Sequence, residues 1–161
     1  MENDSLAASS TKKEFEISRV INAPVDLVYR AWTDPNQLSK WWGPKDFTNP
    51  VCEIDIRPGG EIRIDMKGPD GTVYPMAGIF MEIIEPERLV FTSTAMQDEN
   101  GTWQLEVFNT ISFDGEEGNT KLTVNASVVK QTARSAPAIA GMEQGWQESL
   151  DKLNDLLKRP A

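Results

Sequence analysis

The chain contains no histidine. Serine–histidine–aspartate and cysteine–histidine nucleophilic machinery is therefore excluded in its usual forms. Histidine-ligated zinc and non-haem iron are excluded with it. Acid–base chemistry is left to carboxylates, Lys, Tyr and Arg, and neither a cofactor nor a metal is expected. There is one cysteine, Cys52, so no disulfide can form within the chain. That usage fits a reducing compartment, and the expected location is cytoplasmic. Basic residues are also few, 16 Lys and Arg against 25 Asp and Glu, for a net charge of -9. A nucleic-acid partner needs a basic face to displace counterions from phosphates, and an anionic membrane makes the same demand. Neither partner is expected. No apolar run approaches the ~18 residues of a membrane span, so no membrane insertion is expected. The opening MENDSLAASS has neither the basic start nor the apolar core of a secretory signal.

What remains is enough for one globular domain. A chain of 161 residues buries roughly 70% of its unfolded surface without help from metal or disulfide. Residues 1 to 12 are small and polar and read as a disordered tail, and 13 to 159 read as the domain. Phe15, Ile17, Arg19 and Ile21 alternate with Glu14, Glu16 and Ser18, which predicts a strand. Pro24 suits the first position of a helix, with Asp26 at the positive end of its dipole. Asp34, Pro35 and Gln37 open a second short helix as cap, first position and capping-box partner. Gly43-Pro44 ends it.

Six further strands are predicted. Cys52, Ile54 and Ile56 alternate on the first, and Pro58-Gly59-Gly60 turns the chain. Ile62, Ile64 and Met66 follow, then the turn Pro69-Asp70-Gly71. Val73 to Ile84 and Arg88 to Met96 are the next two. Trp103, Leu105, Val107, Asn109, Ile111 and Phe113 form the inward side of the fifth, against Gln104, Glu106, Thr110 and Ser112. Leu122, Val124, Ala126 and Val128 form the last. Every connection is short, so the strands meander as antiparallel neighbours. Met142, Trp146, Leu150, Leu153 and Leu157 then make one apolar stripe on a long C-terminal helix.

This order predicts an α+β fold in which about seven curved strands wrap the C-terminal helix, with two short helices after strand one. A sheet with one apolar face must cover it, and only the last helix is large enough. A cylinder in a twisted trough leaves space at its ends, which is where a small molecule can lodge.

Particular segments carry a family resemblance. They are Val20-Ile21-Asn22-Ala23-Pro24, Ala31-Trp32-Thr33-Asp34-Pro35, Leu38 through Pro44 (LSKWWGP) and Arg57-Pro58-Gly59-Gly60. Pro69-Asp70-Gly71, Gly78, Glu85 through Thr92 (EPERLVFT), Gly145-Trp146 and Ser149 through Leu153 follow in order. Between about Phe15 and Leu157 the chain resembles the activator of heat-shock protein 90 ATPase homologue-like family, within the START-like, helix-grip (SRPBCC) superfamily. The resemblance implies the helix-grip fold. The superfamily includes lipid and hormone carriers, polyketide aromatase/cyclases and ring-hydroxylating oxygenase domains. The oxygenase branch needs histidine iron ligands, which this chain lacks.

The leading expectation is a non-catalytic binder or carrier of a small hydrophobic molecule. Its site would lie between the C-terminal helix and the concave sheet, lined by Trp42, Met66, Met81, Phe91, Trp103, Val107, Met142 and Trp146. No catalytic residue is assigned. A second reading is a polyketide cyclase or isomerase. It would need Asn109, Arg19, Tyr74 or a buried carboxylate aimed into the cavity. A third is a co-chaperone-like module acting on a heat-shock ATPase. Gly141 and Gly145 each cost ~1 kcal/mol relative to alanine inside a helix. They point to close approach of the helix to the sheet, or to room left for a ligand beside Trp146. Phe108 falls on the outer side of its strand and permits, without requiring, a homodimer.

Overall fold

The computed structural model describes residues 14 to 157. The expected tail over residues 1 to 12 lies outside them, as does the helix-ending Arg159-Pro160. The element order is the predicted one: β1 (Glu14–Ile21), α1 (Val25–Thr33), α2 (Pro35–Trp41), β2 (Thr48–Ile54), β3 (Glu61–Lys67), β4 (Val73–Ile84), β5 (Arg88–Gln97), β6 (Trp103–Glu116), β7 (Asn119–Gln131) and α3 (Ala136–Leu157). One curved antiparallel sheet runs β1-β7-β6-β5-β4-β3-β2. β2 to β7 meander, and β1 closes back on β7 with Ile17 opposite Val124. The remaining edge, β2, carries Pro50 beside a bulge between Thr48 and Val51. Both features discourage pairing with another sheet.

Local chemistry sets the helix boundaries. Pro24 sits just before α1, as its N-cap and not as its first residue, with Asp26 in the first turn. Asp34 accepts from the Asn36 backbone N–H at 2.9 Å, and Gln37 Nε2 donates to its other oxygen. Asn49 Nδ2 caps the far end of α2 by donating to the carbonyls of Ser39 and Trp42. Before α3 a 3-10 turn, Ala133–Ser135, is closed by reciprocal bonds between Thr132 and Ser135.

The apolar faces meet as two clusters. The larger holds Ile17, Ile21, Trp32, Leu38, Trp41, Ile64, Phe91, Ile111, Phe113, Leu150 and Leu153 among others. The smaller gathers Leu105, Val107, Ala126, Val128 and Ile139, with Met142 packed against it. Fully buried side chains such as Leu150 and Leu153 each contribute about 1.5–3 kcal/mol.

Two positions depart from the alternation read from sequence, the first of them at a bulge. On β4, Phe80 faces Phe91 and Glu82 faces Val90, so Met81 is the extra residue. At the start of β6, Gln104 was expected outside but is buried. It donates to the Thr102 carbonyl and accepts from the Thr132 hydroxyl.

Two glycines have opposite roles. A Cβ on Gly78 would lie 1.9 Å from the Thr92 backbone oxygen, so β4 and β5 touch there only because the side chain is missing. Gly141 is exposed and has nothing within 4 Å of its would-be Cβ, and Gly145 meets only Pro44 at 3.8 Å. Close helix–sheet approach therefore does not explain Gly141. Gly78→Ala is expected to destabilise the protein by about 1–3 kcal/mol, and Gly141→Ala to stabilise it by up to ~1 kcal/mol. Urea unfolding of the two variants tests both signs.

Candidate functional site

The site grows from α1. Trp32 is 3% exposed and lies where α1, α2, α3 and the sheet converge. Its ring packs edge-on to Trp41 at 4.8 Å, to Phe113 at 6.1 Å and to Trp42 at 6.4 Å. It also meets Phe91 at 6.3 Å and stacks on Trp146 of α3 at 5.9 Å. Such pairs add about 0.5–1.5 kcal/mol each beyond the area they bury. Trp42 meets Trp146 at 5.4 Å and is only half-buried, as is Trp146.

Beneath this cluster is a cavity of about 20 Å³, lined by Trp32, Leu38, Trp42, Ile54, Ile62, Ile64, Met76, Phe80, Leu89 and Phe91. No lining side chain is ionisable, and a space of that size admits about one water.

Polar bonds hold α3 against the aromatic cluster. The Ser149 hydroxyl lies 2.8 Å from the Gly43 carbonyl and 3.0 Å from that of Gly145. Lys152 Nζ donates to the Pro44 carbonyl at 3.1 Å, and the Lys45 N–H donates to Glu148. Burial pushes the Lys152 pKa down, against the upward pull of Asp46 and Glu148. The Lys45 N–H is the largest influence lowering that of Glu148. On the other flank Arg19 reaches Asp151 at 2.6 Å and Gln147 Oε1 at 3.0 Å. The Asn22 N–H donates to Asn154 Oδ1.

The eight expected lining residues divide. Trp42, Phe91 and Trp146 come together in the aromatic cluster. Met66 packs beside it, its sulfur 3.1 Å from the point where Gly43 would carry a Cβ. Val107 and Met142 belong to the smaller cluster. Trp103 is half-buried at the start of β6, outside both clusters. Met81 does not fit the expected lining: it is 54% exposed, because Phe80 before it turns inward and the bulge leaves Met81 unpaired on the outer face.

Met76 was weighed as a pocket methionine but left out of the eight, as were Trp32, Leu38, Ile54, Ile62, Ile64, Phe80 and Leu89. Trp32 was visible as a helix-face residue, but its orphaned donor was not. The indole N–H of Trp32 is buried with no hydrogen-bond partner, whereas that of Trp41 donates to the Ala31 carbonyl at 3.0 Å. An unsatisfied buried donor costs about 1–3 kcal/mol.

The groups weighed for acid–base work are engaged or placed elsewhere. Asn109 is buried, and its amide donates to Ser93 Oγ at 3.0 Å and the Phe91 carbonyl at 3.3 Å. Arg19 serves the β1–α3 contact described above. Tyr74 is exposed, with its ring beside Phe47 at 5.8 Å. A separate surface groove of about 320 Å³ lies beside Tyr29, Arg30, Ile83 and Glu85. Burial first, and Glu85 second, raise the Tyr29 phenol there.

A curved seven-stranded sheet closed around a C-terminal helix, with an aromatic interior between them, defines a START-like helix-grip protein. The family model for activator of Hsp90 ATPase homolog 1-like proteins matches residues 22–158, and the chain belongs to that family. No curated protein matches the sequence. Among solved structures, the chain is similar to a protein from Nitrosomonas europaea at 29% identity and TM-score 0.73, covering 90% of this chain and 94% of that one. It is similar to a protein from Arthrobacter aurescens at 29% identity and TM-score 0.78, covering 92% and 87%. An uncharacterised protein from Rhizobium leguminosarum gives 25% identity and TM-score 0.79, covering 92% and 96%. Among the described residues no helix is long and apolar enough to cross a membrane.

Cys52, on β2 beside the cavity wall, gives a pH test of this packing. Burial first, and Glu53 second, raise its thiol to about 11. The unfolded thiol ionises earlier, near 9.0. The contribution of this group to stability is therefore intact below about pH 9 and falls as pH rises towards 11. Alkylation by iodoacetamide should climb about tenfold per pH unit from 8 to 10, following the thiolate fraction. A plateau near pH 9 would mean that the β2 wall is open to water.

Proposed function

We propose that this protein binds a small hydrophobic molecule in the cavity between α1, α2 and the concave sheet, beneath the rings that α3 packs against, without transforming it. The observation that supports this most is the cavity lining, in which no side chain is ionisable. A neutral apolar guest loses nothing on entering it, whereas a charged one would shed its hydration without compensation. The cavity as it stands is far smaller than a typical ligand site of ≈ 300–1,000 Å³. Binding therefore moves side chains, and half-buried Trp42 and Trp146 are the ones placed to move. The cyclase or isomerase reading lacks a proton-transferring group on the cavity wall.

A second reading, as a module docking onto a heat-shock ATPase, draws on the family and on the outer sheet face. Ile79 of β4 and Phe108 of β6 are both exposed there, on either side of Thr92 of β5. ATPase turnover raised by this protein and no longer raised by Phe108→Asp would favour that reading; unchanged turnover rejects it.

Titration with cumene, followed on the methyl resonances of Ile62, Ile64 and Leu89, tests the binding site. The wild type is expected to shift these signals saturably. Leu38→Phe fills the space and should weaken binding at least about tenfold, or ~1.4 kcal/mol, while Phe108→Ala leaves it unchanged. A wild type whose methyl signals do not respond contradicts the proposal.

A further inference from the structure

We infer that the molecule held beneath Trp42 carries one neutral hydrogen-bond acceptor, a ketone, ester or ether oxygen, and that the Trp32 indole N–H is its donor. This rests on the reading of the cavity as a binding site and adds the chemical class of the guest.

Three observations lead to it. Trp32 lines the cavity, is 3% exposed, and its N–H is buried with no partner. The neighbouring Trp41, 4.8 Å away and more deeply buried, has its N–H satisfied by the Ala31 carbonyl. Burial in this cluster therefore does not by itself leave an indole orphaned. Finally, the side-chain amide of Asn109, the other buried donor on the concave face described above, already donates to both Ser93 and Phe91. Among the described residues Trp32 is left as the fully buried side-chain donor with no partner, whereas half-buried Trp42 can turn its N–H to solvent.

The rest of the lining narrows the guest. Leu38, Ile62, Ile64, Leu89 and Phe91 present only carbon, and Met76 adds a weakly accepting thioether. An alcohol, amide or protonated acid would satisfy Trp32 but bury its own proton without an oxygen to receive it. A carboxylate would bring an unpaired charge. An acceptor without a donor meets neither penalty. Water is a poor occupant for the same reason. It would fit by size, but a held water makes about three hydrogen bonds, and these side chains carry two indole N–H donors, of Trp32 and Trp42, and no oxygen to accept from it. The rings of Phe113 and Trp42, each nearly perpendicular to that of Trp32, offer at most a weak contact to an N–H.

The test uses three probes with the same number of heavy atoms: acetophenone, 1-phenylethanol and cumene. Each is titrated into the full chain while the Trp32 side-chain N–H resonance is followed. Acetophenone is expected to move that resonance downfield, and cumene to leave it near its free position. In Trp32→Phe, which removes the donor, the acetophenone-to-cumene affinity ratio should fall about tenfold, and 1-phenylethanol should show a smaller loss. Site-specific replacement of Trp32 by benzothienylalanine keeps the ring shape without the N–H and should repeat the result if the phenylalanine variant folds poorly. Binding of all three probes with an unmoved N–H resonance and an unchanged ratio overturns the donor assignment and leaves the apolar site standing. If none of the three binds, both are overturned.

Discussion

One contact organises the molecule: the stacking of Trp32 on Trp146. Trp32 comes from the short helix after the first strand, and Trp146 from the last helix, over a hundred residues later. Trp41, on the next helix, holds the Trp32 ring from one side at 4.8 Å; the contact with Trp146 is the one that spans the chain. Their stacking, with Phe91 and Phe113 of the sheet beneath, joins the beginning, middle and end of the chain in one dense cluster. The polar bonds of Ser149 and Lys152 to the Gly43-Pro44 loop then fix the angle at which α3 crosses. Apolar contact provides most of the free energy and these few directional bonds select the geometry, a division common in helix–sheet packing.

The fold was largely legible because its signals are periodic. Alternation along β3 and β6, helical spacing in α3, and the Asp34-Pro35 cap are local features, and each survives folding, Gln104 at the start of β6 excepted. Bulges were not legible. An extra residue such as Met81 leaves no mark in composition, yet it shifts the pairing of all that follows. The site was legible only in part, for a related reason. Trp42, Phe91 and Trp146 stand out as large rings on inward positions. Ile62, Ile64, Met76 and Leu89 are ordinary core residues in sequence, and only the curvature of the sheet brings them to one void. Whether an indole N–H finds a carbonyl is a tertiary fact, and it separates Trp32 from Trp41 although both are buried aromatic residues on adjacent helices.

The smallness of the void bears on how such a protein works. Close-packed interiors resist deformation, and a cavity that holds about one water is near the limit of what natural cores leave empty. A guest must therefore compete with aromatic contacts already made. That favours flat, apolar molecules, which replace ring contacts with ring contacts, over bulky or flexible ones. It also favours slow exchange, since the rings must part before anything enters.

The division of the interior into two apolar clusters has a consequence for how the family can diversify. Leu105, Val107, Val128 and Ile139 pack under the first turns of α3, apart from the rings around Trp32. Substitutions at well-separated sites combine almost additively. Apart from Phe15, which packs against both, changes in the smaller cluster can alter the shape of one end of the trough while the larger one continues to specify the fold. A scaffold built this way gives natural selection a region to vary and a region to keep, which suits a fold whose relatives share architecture at modest sequence identity.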